Sequence, residues 1–275
     1  MSILVTGGTG FIGRYVVGRV QDRGEPVVTY DRARGAGPTS VQGELFDLAR
    51  LAGAITAHDV RGVVHAAGMS APDLSLAMPA ATVTANAIGT FHLLEAARLA
   101  SFGGRIVLLS TLAAVRPRTP FAATKAFGDL LGQVYTERYG LDVVSLRFSE
   151  AYGPGRRLPT YLDELIDAAI ARRPVQANAS DEEPYRVVHV EDVARAIVAA
   201  LDAASPTSRI YDIAGEPPRI EQVIAIVRDA EFDLARQPEP EQPAAATAAD
   251  RELGYRPRWG LARGIDDLCA WREAC

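Results

Sequence analysis

The chain has 275 residues, of which 48% are hydrophobic and 23% charged, with a formal net charge of −5. That length supports one large domain, or a domain with a small lobe, around an ample core, and the composition excludes a disordered or fibrous chain. The mildly acidic balance lacks the basic field that a nucleic-acid or anionic-membrane partner needs, and no stretch reaches the roughly 18 apolar residues of a membrane span. Two cysteines, Cys269 and Cys275, exclude a disulfide framework. No signal segment is read ahead of the first apolar run, so a reducing cytoplasmic setting without a metal is expected.

Short apolar runs alternate with longer amphipathic stretches from residue 3 to about 150, the pattern of βαβ units wound over a parallel sheet. Strands are expected at Ile3–Thr6, Pro26–Tyr30, Gly62–Ala66, Arg105–Ser110 and Asp142–Phe148. Helices are expected at Phe11–Arg23 before Gly24, at Ala80–Leu99, and at Ala122–Tyr139 before Gly140, where glycine supplies the left-handed stop. Beyond Phe148 the spacing loosens through the Tyr152-Gly153-Pro154-Gly155 turn. A helix is expected at Pro159–Arg172, a polar loop at Asn178–Pro184 and an apolar helix from His189 to Leu201. A strand at Ile210–Ala214, a helix at Arg219–Asp229 and an exposed loop at Arg236–Asp250 complete the reading. No internal repeat is found.

The run Gly7-Gly8-Thr9-Gly10-Phe11-Ile12-Gly13 follows the first strand and opens the first helix. In that context the turn must be tight at Gly7, let a ligand approach at Gly10 and bring helix and strand together at Gly13. The amides and positive end of the helix then face a pyrophosphate. Asp31 ends the second strand near the separation of roughly 20 residues at which a carboxylate receives the adenosine ribose hydroxyls. Its charge favours NAD over NADP, while Arg32 and Arg34 could accept a 2′-phosphate. A plain strand–helix turn and a solvated Asp31 are the bland alternatives.

Further motifs accompany this turn in order along nearly the whole chain. They are Asp47-Leu48, Val64-His65-Ala66-Ala67-Gly68, Asn86-Ala87-Ile88-Gly89-Thr90, Arg147-Phe148 with Tyr152-Gly153-Pro154-Gly155, His189-Val190-Glu191-Asp192, and Leu253-Gly254-Tyr255-Arg256-Pro257. Together with Gly7, Gly10, Phe11, Ile12 and Gly13 they resemble the extended short-chain dehydrogenase/reductase superfamily, the NAD-dependent epimerase/dehydratase group. The resemblance implies a Rossmann-like doubly wound parallel sheet over residues 1–150, with 187–215 returning to it. A small α/β substrate lobe would comprise 151–186 and 216–275. Asp47 and Leu48 would lie at the adenine, and Ala66, Ala67 and Gly68 along the cofactor. A homodimer through the helices near 80–99 and 122–139 is also implied. Asn86, His189 and Asp192 have structural readings that suffice for them.

In that family a tyrosinate, its pKa lowered by a lysine four residues on, moves the proton that accompanies hydride transfer. A strand-end hydroxyl steadies the substrate oxygen. Here Lys125 stands in Phe121-Ala122-Ala123-Thr124-Lys125, and Thr111, or less favourably Ser110, supplies the hydroxyl. Phe121 occupies the tyrosine position and lacks the oxygen. Three explanations remain open: a Tyr→Phe variant that holds substrate intact, a natural enzyme that recruits another acid–base group, or a nucleotide-sensing protein without turnover.

On the substrate side the resemblance points to Ser70, Thr111, Glu150, Arg156, Arg157, Tyr185 and Arg186. Glu150 stands where sugar epimerases resemble one another in an Asn, and Tyr185-Arg186 replaces their Arg-Asp. The guanidiniums suit a phosphate or carboxylate. The leading expectation is an NAD-dependent epimerase or dehydratase acting on a nucleotide sugar. A dehydrogenase or reductase on a small hydroxy or uronic acid is the alternative.

Overall fold

Ser2–Thr6 (β1) is buried at every position, as a central strand covered on both faces must be. The computed structural model describes residues 1–33, 35, 39–173, 185–218, 220–228 and 247–274. After β1 come α1 (Phe11–Asp22), β2 (Val27–Asp31), β3 (Ser40–Gln42), α2 (Leu48–Ala57), β4 (Val60–His65), α3 (Pro72–Ala77), α4 (Pro79–Thr82) and α5 (Gly89–Leu99). β5 (Arg105–Thr111), α6 (Pro120–Tyr139), β6 (Asp142–Phe148), β7 (Glu150–Tyr152) and α7 (Tyr161–Ala171) follow. The chain continues through β8 (Val187–His189), α8 (Val190–Asp202), β9 (Ile210–Ile213), α9 (Ile220–Arg228), α10 (Ala248–Leu253) and α11 (Leu261–Ala274).

Seven strands form one sheet in the order β3-β2-β1-β4-β5-β6-β9, each pair parallel. The winding direction reverses between β1 and β4, so the carboxyl ends of those strands open the crevice in which such sheets bind ligands. One core lies under α1 and α8, where Val16, Val20 and Ile197 meet Val5, Val107 and Leu146. The other lies under α2, α5 and α6, where Leu51, Leu93 and Tyr135 meet Leu4, Val63 and Leu108. A third cluster joins Tyr152, Leu162, Ile166, Val223, Leu261 and Ile265, beside the two-stranded β7–β8 pair.

The six expected strands stand within two residues of their expected bounds, and Gly140 stops α6 in the left-handed region at φ 73°. Two details differ. The expected helix Ala80–Leu99 contains a widened π-helical turn at Val83–Ile88, in which buried Asn86 donates to the Met69 carbonyl and Thr124 Oγ1 and accepts the Met69 amide. The expected loop ending at Asp250 gives way to α10, because the Thr247 hydroxyl accepts the Asp250 amide at 3.1 Å and caps a helix there. Arg34, the loop Asn178–Pro184, residues 236–246 and Cys275 lie outside the described residues. Among those described, no helix is long and apolar enough to cross a membrane, and no group of three or more His, Cys, Asp or Glu could hold a metal ion.

Candidate active site

At the crevice the first glycines are held by backbone sterics. Gly7 has φ +69°, and a Cβ there would lie 2.6 Å from the Ala67 nitrogen. A Cβ on Gly13 would lie 2.1 Å from the Gly7 carbonyl oxygen. Gly10 differs, since its Cβ would meet the Gly7 oxygen at 3.0 Å and nothing else within 4 Å. Gly10 caps α1 without a side chain, leaving the first-turn amides for a ligand.

Around this turn Asp31 accepts the Thr9 amide at 3.1 Å and the Thr9 hydroxyl at 2.6 Å on one oxygen, and the Ala33 amide at 3.3 Å on the other. Arg32 is exposed, with its carbonyl taken by Gln42. Asp47 caps α2 by accepting the Arg50 amide, and Leu48 packs on the second core. The Ala67 amide donates to Thr6 Oγ1, and Gly68 follows at φ +147°. Phe11 has the guanidiniums of Arg14 and Arg156 each 5.8 Å from its ring, while Ile12 packs on the first core. The structure thus brings Gly7 against Ala66 and Ala67, and Asp31 against Thr9 of the same glycine turn.

Thr111 ends β5 and caps the short 3-10 turn Leu112–Val115. Phe121 sits in the first turn of α6, its amide donating to the hydroxyl of Ser75 at 3.2 Å. One turn on, Lys125 Nζ donates to the Leu109 carbonyl at 2.8 Å and lies 6.0 Å from the centre of the Phe121 ring. Burial pushes the Lys125 ammonium down to about 8, with Asp129 opposing the shift. Strand alternation puts Ser110 on the same face as Ile106 and Leu108, toward α6, and its hydroxyl is buried without a hydrogen-bond partner.

The substrate candidates divide. Glu150 accepts from Arg156 at 3.1 Å and from the Tyr185 hydroxyl, and burial raises its carboxyl above the ordinary range. Arg156 also donates to the Ala151 and Leu158 carbonyls, so its guanidinium is committed internally. Arg186 donates to the Gly215 carbonyl. Ser70 and Arg157 are exposed. A cavity of about 1050 Å³ is lined by Tyr152, Arg186, His189, Tyr211 and Trp259 among others; Arg186 is the expected substrate residue on its described wall, and Thr111, Phe121 and Lys125 are not on it.

Three supporting features went unread in the sequence. His65, buried between the hydroxyls of Thr6 and Thr90, is pushed down to about 3 by burial and by Lys125, and so is neutral. Asp129, buried on α6, holds Arg147 at 2.7 Å. Lys125 is the single lysine among 29 Lys and Arg residues, a compositional signal that was there to be counted.

A helix start free of side-chain caps, opening at the switch point of a doubly wound sheet, is the form of a dinucleotide-binding short-chain dehydrogenase/reductase. The chain belongs to the NAD dependent epimerase/dehydratase family, whose model matches residues 3–214. It is 30% identical over 319 residues to a dTDP-glucose 4,6-dehydratase of Streptomyces niveus, covering 98% of this chain and 92% of that one. It is 25% identical to UDP-glucuronate 4-epimerase 2 of Arabidopsis thaliana, over 98% of this chain and 75% of the relative. Among solved structures, the UDP-glucose 4-epimerase of Thermus thermophilus in complex with NAD superposes with a TM-score of 0.80 at 27% identity, over 100% of both chains.

Proposed function

We propose that this protein is an NAD-dependent enzyme of the epimerase/dehydratase type that acts on a nucleotide sugar by transient oxidation of a ring alcohol. The observation that carries the reading is the placement of the buried Lys125 amine and Thr111 at the end of β5, the strand beside β4, whose end borders the glycine cradle. The cradle fits a dinucleotide: Gly10 leaves room for close approach, and the α1 amides are uncapped. In this reading Gly7, Gly10, Phe11, Ile12 and Gly13 hold the pyrophosphate, Asp31 and Arg32 lie at the adenosine ribose, and Asp47 and Leu48 lie at the adenine. Ala66, Ala67, Gly68 and Lys125 lie along the nicotinamide half. NAD, when bound there, would supply the hydride acceptor and donor for that oxidation. The nucleotide-sugar substrate is supported by the names of the relatives, which act on dTDP-glucose, UDP-glucuronate or UDP-glucose.

Thr111 steadies the reacting oxygen, and Ser70, Glu150, Arg157, Tyr185 and Arg186 line the substrate side, with Arg156 holding Glu150 in place. A dehydrogenase on a small hydroxy or uronic acid is the second reading, favoured by the commitment of Arg156 to internal acceptors, which leaves fewer guanidiniums for a diphosphate. Incubation with NAD and each substrate class separates the two. Product without net NADH supports the first, and NADH accumulating in step with product supports the second.

A homodimer is part of the proposal. Phe127, Leu130 and Val134 form an exposed apolar row at helical spacing on α6, and Ile88, Phe91 and Leu99 expose apolar side chains along the neighbouring helix. A second copy would cover both rows. A reducing, cytoplasmic setting suits the half-buried free thiol of Cys269.

A further inference from the structure

We propose that Lys125 is the proton-transferring group of this active site, its neutral amine taking the hydroxyl proton of the substrate alcohol, directly or through one water, as the hydride leaves the carbon. The proposal rests on the reading above, that an alcohol is oxidised here, and it accounts for a site in which residue 121 is phenylalanine. Three observations carry it.

First, Lys125 is the only lysine in a chain whose other basic side chains are all arginine. A guanidinium stays protonated throughout the working pH range, whereas a buried amine gives up its proton readily. The single lysine thus stands at the position where the proposal needs a group that can lose a proton.

Second, the amine is placed for it. Nζ is anchored by the Leu109 carbonyl at 2.8 Å, two residues before Thr111 on β5, and stands 6.0 Å from the centre of the Phe121 ring. The neighbouring Ser110 hydroxyl is buried on the α6 face and unpartnered, a second polar group in the same layer.

Third, among the described residues the carboxylate that faces the ammonium is already paired through one of its oxygens. From its own helix Asp129 faces it, but that carboxylate is bound by Arg147 of β6 at 2.7 Å. From β4, His65 is neutral between Thr6 and Thr90. Burial therefore dominates and pushes the amine down to about 8, so that a useful fraction is unprotonated near neutral pH.

The step balances. The secondary alcohol loses hydride to the nicotinamide and its proton to the amine, giving a ketone and the Lys125 ammonium. The return of both completes the cycle, and no other oxidant is required.

Two measurements test this. With lysine carrying a ¹³C label at Cε, the chain gives one side-chain signal, and its titration reads Lys125 directly without any variant. A midpoint near 8 is expected, and a midpoint near the ordinary value of about 10.4 would overturn the assignment. In kinetics, turnover of this chain should rise with pH as the amine loses its proton. Lys125→Arg, which keeps the charge but does not give up a proton in the working pH range, should lower kcat by about 100-fold or more. In a Phe121→Tyr background the same change should cost well under that, because a phenolate then carries the proton beside a fixed positive charge. Retention of kcat within threefold in Lys125→Arg alone would overturn the proposal. So would a chain that turns over only as Phe121→Tyr, an outcome that leaves the proposed function standing. Absence of turnover in both forms overturns the proposed function, and the proposal with it.

Discussion

Replacing Gly13 with alanine should abolish useful NAD binding while leaving the sheet folded. The added Cβ would stand 2.1 Å from the Gly7 oxygen, 2.8 Å from the Gly7 carbonyl carbon and 2.9 Å from the Gly8 Cα, all backbone atoms. None can swing aside as a side chain would, so the glycine turn and the start of α1 must separate by about 1 Å, a misplacement that can cost about 100-fold at a site of fixed geometry. The same figure follows from the amides, since two charge-assisted hydrogen bonds to the pyrophosphate, each about 1.5 kcal/mol, amount to roughly 100-fold in affinity. Gly18→Ala is the internal control. It lies in the same helix with nothing within 4 Å of its Cβ, and should stabilise the protein by about 0.5–1 kcal/mol with unchanged affinity. Isothermal titration with NAD and thermal unfolding of both variants provide the assay. Binding within threefold of the parent in Gly13→Ala would refute the placement of the pyrophosphate over this turn.

Further outcomes follow from the same geometry. Asp192, 1% exposed, accepts the amides of Arg258 and Trp259 and the guanidinium of Arg195. Asp192→Ala should cost about 3–5 kcal/mol in urea unfolding, and a loss under about 1 kcal/mol would mean that the C-terminal segment is held otherwise. His65 and His189 are pushed down by burial to about 3 and about 4, so between those values and about 6.5 the unfolded chain binds more protons than the folded one. Each should therefore remove about 1.4 kcal/mol of stability per pH unit below about 6.5, and denaturation midpoints equal at pH 7 and pH 5 would contradict their neutral, buried state. The proposed homodimer predicts that Leu130→Glu, at a position 63% exposed, sediments as a monomer without loss of stability. An unchanged sedimentation coefficient would place the dimer contact elsewhere.

The parts of this architecture most legible in the sequence are those governed by local rules. The strands Ile3–Thr6 and Asp142–Phe148 are apolar runs bounded by turns, and the helix stops at Gly24 and Gly140 need φ above zero. The widened turn at Val83–Ile88 is different: it serves a distant contact, since Asn86 reaches Met69 and Thr124, and no local pattern encodes it. β3 and the β7–β8 pair have three residues each, too few to show an alternation. Of the site, the glycine cradle and the spacing of Phe121 and Lys125 stood out because chemistry requires them close in sequence. The burial of His65 and the grip of Arg147 on Asp129 depend on strands that meet only in the fold. The internal commitment of Arg156 likewise became visible only through its three acceptors.

The most direct test of the account incubates the purified chain with NAD and, separately, dTDP-glucose, UDP-glucuronate and UDP-glucose, following sugar products by mass spectrometry and NMR and NADH by absorbance. The account predicts conversion of at least one of these to an epimer or a dehydrated sugar, dependent on NAD and without net NADH. Tight NAD binding with no conversion of any nucleotide sugar, by this chain or by Phe121→Tyr, would contradict it.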